Sequence, residues 1–269
     1  MIKVGIVGCF GRTASHVVKY LINLNHKLGF KLVAGCGINF NYRDIGQACS
    51  MKVGIIESNN VYDLCEKSDL IIDFSTNEGL QNILNSIELL EDKVIISGTT
   101  NHSLFKQIKD RSSKKNKIFW SANMSISITM MIDIVSNMFK KLSSEEFDVD
   151  IIERHHRYKK DIPSGTSLMV AQGIKDKNQS KDFDSIKYYT YDKKIFTRDS
   201  RSIYISSNRS GGIIADLDIN LTSDYEQINI QHKCLDRVLF ASNTMKIASW
   251  LVTQNYGFYN MQDFLKNLI

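Results

Sequence analysis

The sequence predicts an α/β protein in which an N-terminal Rossmann-type, doubly wound parallel sheet is followed by an α+β domain with a mixed sheet. Short apolar runs alternate with helical patterns through the first half of the chain, as in parallel sheets covered by helices. A glycine-rich turn follows the first of these runs. After residue 142, strand-like segments follow one another with few helices between them, and this change of period marks the second domain.

The chain of 269 residues is long enough for two domains. We expect residues 1–125 and 236–269 to form a dinucleotide-binding domain. Residues 126–235 are then a second, substrate-binding domain. The segment 237–253 is apolar at helical spacing and is expected to return to the first domain, with Arg237 near the hinge and assigned to the cofactor site.

The apolar run Ile2–Val7 predicts a buried parallel strand that leads directly into a glycine-rich turn. Gly8 permits a tight turn, and Gly11 lets the backbone approach a pyrophosphate, while Ala14 takes the third small position. This spacing is looser than the common fingerprint, so the motif is weak by itself, but its place after a clean strand favours dinucleotide binding. The residues assigned to the cofactor in this turn are Gly8, Cys9, Phe10, Gly11, Arg12 and Thr13.

The second predicted strand, residues 31–36, should end near the adenosine ribose of the cofactor. An acidic residue there accepts from the ribose hydroxyls of NAD, whereas an arginine accommodates the phosphate of NADP. This chain has Gly37, Ile38 and Asn39 at that point, so neither marker is present. Arg43 is either a phosphate ligand or a solvated side chain. The expected cofactor is therefore NADPH or NADH.

Three further strands are predicted at residues 69–76, 93–97 and 117–120, with helices from Glu78 and over 126–142. Ligands of open parallel sheets bind outside the carboxyl ends of the strands. The polar loops after the last two strands are therefore expected to lie near the nicotinamide, although each loop alone is also compatible with a plain connection. Their residues are Gly98, Thr99, Thr100, Ser121, Ala122, Asn123 and Met124.

In the second half of the chain, alternating or β-rich patterns predict five strands and one helix. The predicted strands cover residues 148–155, 185–191, 202–208, 215–222 and 226–234, and the helix covers residues 166–174.

The strand over residues 148–155 ends in a cluster of titratable side chains, followed by a turn with Pro163, the only proline of the chain. Whether the segment after the strand is extended or coiled, His155 and Lys159 share a side. The N–H groups of Gly165 and Thr166 lie at a predicted helix N-terminus, which favours an anion. The stretch therefore predicts a pocket for a small polyanion beside a proton donor. The alternative is a solvated basic strand end followed by an ordinary capped helix.

Together these motifs resemble the 4-hydroxy-tetrahydrodipicolinate reductase (dihydrodipicolinate reductase) family of bacterial lysine and diaminopimelate synthesis. The resemblance covers nearly the whole chain. Besides the glycine turn it rests on Asp73-Phe74-Ser75, Gly98-Thr99-Thr100, Ala122-Asn123 and, above all, Glu153-x-His155-His156-x-x-Lys159-x-Asp161-x-Pro163-Ser164-Gly165-Thr166. The chain departs from the family pattern at Ala14, at Met124, where an aromatic residue is common, and at Gly37, where an acid is common.

The resemblance implies NAD(P)H-dependent reduction of 4-hydroxy-tetrahydrodipicolinate to tetrahydrodipicolinate, with loss of water, by a homotetramer. The homotetramer would be built through the sheet of the second domain, so residues 126–235 would serve oligomerisation as well as substrate binding. His155 and Lys159 would be the catalytic pair, with protonated His155 completing the reduction and Lys159 stabilising the developing charge. The residues that would hold the carboxylates of this cyclic substrate are His156, Lys159, Ser164, Gly165 and Thr166. A rival is an amino-acid dehydrogenase on the same fold, against which the Pro-Ser-Gly-Thr turn argues.

Composition limits the remaining functions. The net charge of +5 fits an anionic small molecule at least as well as nucleic acid, and no helix-turn-helix or aromatic-basic platform is visible, which disfavours a nucleic-acid-binding regulator. No apolar run is long enough to span a bilayer, so no membrane partner is expected. Five scattered cysteines without a Cys-x-x-Cys pair indicate reduced thiols, no metal site and a cytoplasmic protein.

Overall fold

The computed structural model describes residues 1–24, 29–37, 41, 43–99, 115–142, 147–177, 185–188, 197–199 and 201–268. The chain divides into two compact units, Met1–Ser125 with Arg237–Ile269, and Ile126–Asp236. Among the helices of the described ranges, none is long and apolar enough to cross a membrane. The α/β fold class is confirmed, with a parallel sheet in the first unit and a mixed sheet in the second.

The described strands, in chain order, are β1 (Ile2–Val7), β2 (Phe30–Cys36), β3 (Leu70–Asp73), β4 (Val94–Ser97), β5 (Lys117–Trp120), β6 (Asp148–His155), β7 (Ser185–Tyr188), β8 (Ser202–Arg209), β9 (Ala215–Thr222), β10 (Gln227–Cys234) and β11 (Gly257–Tyr259). The described α-helices are α1 (Arg12–Leu24), α2 (Val61–Lys67), α3 (Asn77–Leu89), α4 (Ile126–Phe139), α5 (Gly165–Lys177), α6 (Val238–Leu251) and α7 (Met261–Leu265). A 3₁₀ turn lies at Gln47–Cys49.

The sheet of the first unit has six strands in the order β11-β5-β4-β3-β1-β2, and every neighbouring pair is parallel. Every residue of β3 and β4 is buried, as expected for parallel strands covered on both faces. Helix α1 packs against α6, and α2 packs against α3. The carboxyl ends of the strands therefore share one edge of the sheet, where the predicted cofactor loops lie.

Many predicted element bounds agree with the structure, and the differences have local causes. Strands β1, β5, β6 and β9 begin and end where the patterns placed them. The strand predicted over 69–76 ends at Asp73, because the Thr76 hydroxyl accepts from the N–H of Gly79 and caps α3. The strand predicted over 185–191 is described only to Tyr188, and the rest of that prediction lies outside the described residues. Helices α2 and α7 and strand β11 were not predicted, since each is short.

The sheet of the second unit has five strands in the order β10-β9-β6-β8-β7, with β6 in the centre. The pairs β6–β8 and β7–β8 are parallel, and the pairs β6–β9 and β9–β10 are antiparallel. Apolar side chains of the sheet pack with those of α4 and α5 in one core, which includes Ile132, Val149, Ile151, Val170 and Ile219. The central strand β6 thus runs along this core and ends at the predicted catalytic cluster.

Candidate active site

The buried face of β6 carries the first catalytic candidates. Alternate side chains of this strand are buried, and successive side chains of a strand point to opposite faces. Glu153 and His155 therefore continue the row that begins with Val149 and Ile151, and they are 0% and 8% exposed. Arg154, on the other face, forms an ion pair of 2.6 Å with Asp218. The alternation thus places the Glu153 carboxylate and the His155 imidazole at the end of the apolar face of β6.

The Glu153 carboxylate is surrounded by donors. One oxygen accepts from the N–H of Ser164 and from the Arg209 guanidinium, both at 3.0 Å. The other accepts from the Ser167 hydroxyl at 3.2 Å and lies 3.1 Å from His155 Nδ1. The ring nitrogen Nδ1 of His155 makes no aligned hydrogen bond, so this is a close contact between the imidazole and the carboxylate. Such partners are what a fully buried carboxylate requires.

The charge of Glu153 follows from these contacts. Burial by itself raises the pKa of the Glu153 carboxyl, but the close contact with His155 and the hydrogen bonds from Ser164, Ser207 and Arg209 outweigh it. The pKa of Glu153 therefore lies well below its usual range, and the group is an anion at neutral pH.

The turn before α5 is built on Ser164. Its hydroxyl accepts from the N–H of Ser167 at 3.1 Å, as in a helix N-cap, and lies 2.8 Å from the Ser167 hydroxyl. Ser164 is only 2% exposed, and its N–H is bound to Glu153. The structure thus gives Ser164 a role in holding the turn. Its direct contact with a substrate stays a prediction.

Open space adjoins the first residue of α5. A Cβ atom added at Gly165 would meet no atom within 4 Å, so the glycine is not required by the packing of the protein itself. The N–H groups of the first helical turn, which include those of Gly165 and Thr166, point out of the helix N-terminus. The place is therefore sterically suited to an anionic ligand, as the sequence predicted, although the contact itself stays a prediction.

Lys159 and His156 lie in the turn that follows β6. The N–H of Lys159 donates to the His156 carbonyl at 3.1 Å, so the segment coils after His155 and is not extended. The Lys159 ammonium forms an ion pair of 2.8 Å with Asp161, and the lysine side chain is 21% exposed. The His156 ring lies 6.4 Å from the Tyr158 ring, between ring centroids. The predicted substrate contacts of His156 and Lys159 stay predictions.

Arg209, at the end of β8, is a site residue that sequence reasoning missed. Its guanidinium donates to Glu153 and, at 2.6 Å, to the carbonyl of Asp161. A continuous set of contacts therefore runs from Lys159 through Asp161, Arg209 and Glu153 to His155. Arg209 faces His155 across the parallel β6–β8 pair, so only knowledge of that pairing could have identified it.

In the first unit, the glycine turn closes over the end of β3. Gly8 has a φ of +78°, and a Cβ there would lie 2.8 Å from the Phe74 carbonyl oxygen, which excludes other residues. The N–H of Gly11 donates to the Gly8 carbonyl at 2.7 Å. Cys9 is fully buried, and burial raises the pKa of its thiol to about 12. A cofactor contact of Cys9 can therefore involve only its backbone.

Two adjoining clefts lie outside the carboxyl ends of β1, β2 and β3. The larger has a volume of about 410 Å³ and the smaller about 220 Å³. Residues that line both clefts are Gly8, Gly37, Ser75 and Thr76. This is the edge of an open parallel sheet at which nucleotides bind. The glycine turn and the paired clefts therefore fit a dinucleotide. Of the other residues predicted to contact the cofactor, Arg12 is exposed and Thr13 is partly exposed at the start of α1.

The buried carboxylate of Asp73 joins the ends of β3 and β4. It accepts from the Ser97 hydroxyl at 2.6 Å, from the Thr99 hydroxyl at 2.8 Å and from the N–H of Ser75 at 2.9 Å. The Trp120 indole N–H donates to the Thr99 carbonyl at 3.0 Å. Asp73 thus fixes the two loops at this edge. The side chain of Thr99 is turned to Asp73, and Thr100 lies outside the described residues.

The loops predicted near the nicotinamide are tightly packed. A Cβ at Gly98 would lie 2.3 Å from the Phe74 ring, so only glycine fits there. The Ser121 hydroxyl donates to the Asn123 carbonyl at 2.6 Å, and Met124 is only 2% exposed. The exposed surface of this loop comes from Ala122 and Asn123.

Arg237, also assigned to the cofactor, is partly exposed directly before α6. For it and for the loop residues, cofactor contact stays a prediction.

Comparisons with known proteins agree with this arrangement. Residues 2–124 match the family model described as dihydrodipicolinate reductase, N-terminus, and residues 127–265 match the model for its C-terminus. The chain is 33% identical over 266 residues to the 4-hydroxy-tetrahydrodipicolinate reductase of a Nitratiruptor species, covering 98% of this chain and 99% of that protein. It is also 33% identical over 269 residues to the 4-hydroxy-tetrahydrodipicolinate reductase of Wolbachia pipientis subsp. Culex pipiens, with the same coverage.

A solved structure shares the fold. This is the dipicolinate-bound dihydrodipicolinate reductase from Paenisporosarcina sp. TG-14, with a TM-score of 0.71 and 21% identity over 98% of this chain and 99% of that one.

Proposed function

The chain belongs to the dihydrodipicolinate reductase family, and from this premise we propose that Glu153, His155 and Lys159 carry its reaction. The family expected from the sequence is confirmed. The enzyme is an NAD(P)H-dependent 4-hydroxy-tetrahydrodipicolinate reductase, which forms tetrahydrodipicolinate with loss of water in the diaminopimelate route to lysine. The observation that carries the proposed residue roles is the buried anion of Glu153, 3.1 Å from His155 and bonded to the turn before α5.

The cofactor is a pyridine nucleotide, which supplies the hydride when bound. The glycine turn and the loops at the carboxyl ends of β4 and β5 would hold it. Gly8 and Gly37, which line both clefts at the carboxyl ends of the strands, support this assignment. Asp73 would keep the loops after β3 and β4 in one conformation through its buried hydrogen bonds.

In the proposed mechanism, His155 delivers the proton that completes the reduction. With its Nδ1 beside the Glu153 anion, the ring carries a proton on that nitrogen and directs Nε2 away from the carboxylate. Nε2–H of the imidazolium is then the atom that gives its proton to the substrate. Glu153 does not touch the substrate and acts by holding the ring.

Lys159 and the N-terminus of α5 would hold the two carboxylates of the substrate. The Lys159 ammonium exchanges its Asp161 partner for a substrate carboxylate or is shared between the two, and it stabilises charge that develops on the ring. The backbone N–H groups of Gly165 and Thr166 receive the other carboxylate in the open space beside Gly165. Arg209 holds the end of β6 and the turn that contains Lys159 together, because it donates hydrogen bonds to Glu153 and to the carbonyl of Asp161.

We also propose a cytoplasmic homotetramer assembled through the sheet of the second unit. In that sheet β10 is at one end of the strand order and pairs only with β9 among the described strands. All five cysteines are free thiols, which agrees with a reducing compartment. Light scattering coupled to gel filtration would measure the mass, and a monomer at micromolar concentration would contradict the proposed assembly.

A coupled assay tests the function. The substrate is generated from pyruvate and aspartate semialdehyde by the preceding synthase, and oxidation of NADH and NADPH is followed separately. We expect rapid oxidation that depends on the synthase product. A folded protein that binds the nucleotide but oxidises neither form would contradict the proposed function.

A further inference from the structure

The end of β2 decides which ribose the larger cleft can accept, and this inference rests on the proposed function. No acidic residue occurs from Gly37 to Tyr42. The next carboxylate, Asp44, accepts from the N–H groups of Gly46, Val53 and Gly54 and so is used within its own loop. Glu78 lines only the smaller cleft. Among the described residues that line it, the larger cleft therefore has no carboxylate of the kind that binds the ribose hydroxyls in NAD-specific folds.

Glu57 lies near this point but cannot replace that carboxylate. Its side chain is 0% exposed. One oxygen accepts from the N–H groups of Asn41 and Arg43 and lies 3.5 Å from Arg43 Nε. Glu57 thus contacts the backbone and the side chain of Arg43, and its second oxygen is buried, so the carboxylate has no exposed surface for a ribose hydroxyl.

Arg43 is held on two sides and lines the larger cleft. Its guanidinium carbon lies 3.8 Å from the centroid of the Phe10 ring, and its Nε forms an ion pair of 3.5 Å with Glu57. About a third of the side chain, 35%, is exposed. A guanidinium stacked on an aromatic ring is pre-organised, and its planar donors match the oxygens of a phosphate.

Gly37 makes room for this arrangement. A Cβ at position 37 would lie 2.9 Å from the Phe10 ring and 3.2 Å from Arg43 Nη2. Any side chain there, including the acid that marks NAD sites, would push against Phe10 or Arg43. The observed position of Arg43 over Phe10 therefore depends on the absence of a side chain at position 37.

We propose that Arg43 binds a phosphate monoester on the adenosine ribose, so that the enzyme prefers NADPH to NADH. Phe10 and Glu57 act as positioning residues for the guanidinium. A dianionic phosphate gains more from this cation than a neutral hydroxyl does, and charge-assisted contacts of this kind are worth a factor of about ten to a hundred in binding.

The test compares kcat/KM for NADPH and for NADH in the wild-type enzyme and in Arg43→Met, which retains the apolar stem over Phe10. We expect the wild type to favour NADPH. The variant should lose about tenfold or more with NADPH and change little with NADH. Arg201→Met, which removes an exposed arginine from the second unit, is the matched control and should leave both values unchanged.

Two further variants test the geometry. Arg43→Lys keeps the positive charge but lacks the planar guanidinium, so it should retain part of the NADPH preference. This variant also provides the test if Arg43→Met does not fold. Glu57→Gln keeps the acceptor for the backbone but weakens the hold on the guanidinium, so the KM for NADPH should rise while kcat is unchanged.

The outcomes separate this inference from the proposed function. A wild-type kcat/KM for NADH that equals or exceeds the kcat/KM for NADPH would overturn the Arg43 assignment alone. The same would follow if Arg43→Met lowered kcat/KM for NADPH and for NADH by the same factor. A wild-type protein that oxidises neither nucleotide would instead contradict the proposed function.

Discussion

The Nδ1 atom of His155 lies 3.1 Å from a carboxylate oxygen of Glu153, a group with no exposed surface. The two residues are two positions apart on one strand, so the pleat of β6 alone brings them to the same face. Because Ser164, Ser167 and Arg209 all donate to the same carboxylate, a single buried charge connects the imidazole, the turn before α5 and the end of β8.

Glu153→Gln should destabilise the protein in a pH-dependent way. The pKa of Glu153 is depressed in the folded state, so its contribution is present above the unfolded pKa of about 4.3 and is lost as pH falls further. We expect about 3 kcal/mol of destabilisation near neutral pH. The gap to the wild type should shrink by up to ~1.4 kcal/mol per pH unit below about pH 4.3.

Urea unfolding at several pH values measures this gap. The exposed Glu226→Gln serves as control and should show no comparable gap. A gap for Glu153→Gln that stays constant down to about pH 3 would mean that the carboxyl is not held as an anion.

His155→Ala should lower kcat by about a hundredfold or more and leave the KM for the substrate within a small factor, because proton transfer is lost while the carboxylate contacts remain. Steady-state kinetics with the coupled assay measure both constants. Near-normal turnover would show that the proton comes from another group.

Lys159→Met should lower kcat and raise the substrate KM, since the ammonium is assigned both to a carboxylate and to the developing charge. The exposed neighbour Lys160→Met is the matched control and should behave as the wild type does. Equal effects of the two substitutions would point to a general loss of positive charge near the site, and not to a specific contact of Lys159.

Gly165→Ala should fold with wild-type stability, because the added Cβ meets no protein atom within 4 Å. The methyl group would occupy the space assigned to a substrate carboxylate, so the substrate KM should rise by about tenfold or more. Thermal unfolding and steady-state kinetics together check this prediction. An unchanged KM would remove the N-terminus of α5 from the substrate site.

Much of this site follows from patterns within short stretches of sequence. Strand β6 was predicted with its observed bounds because its alternation is clear, and that alternation already places Glu153 beside His155. Gly8 was identified because a tight turn after a strand needs a residue with positive φ. In each case the physical cause lies within a few residues of its effect.

Other features depend on contacts between distant parts of the chain. Arg209 reaches Glu153 across 56 positions, through a pairing of β6 with β8 that no local pattern shows. Ser164 and Cys9 lie inside motifs, yet the fold buries both side chains. Strand β11 has only three residues, too few for a periodic pattern, and it forms because it pairs with the edge of β5.

The first unit is assembled from two stretches of chain that the second unit separates. Its helix α1 packs against α6, and its sheet ends with β11, which pairs with β5. During synthesis, the early strands therefore leave the ribosome long before their last partners exist, whereas the contiguous second unit is available in full first. We expect the second unit to fold first. Until the C-terminal helices emerge, part of the apolar surface of the N-terminal stretch is exposed, so we expect this stretch to depend on chaperones.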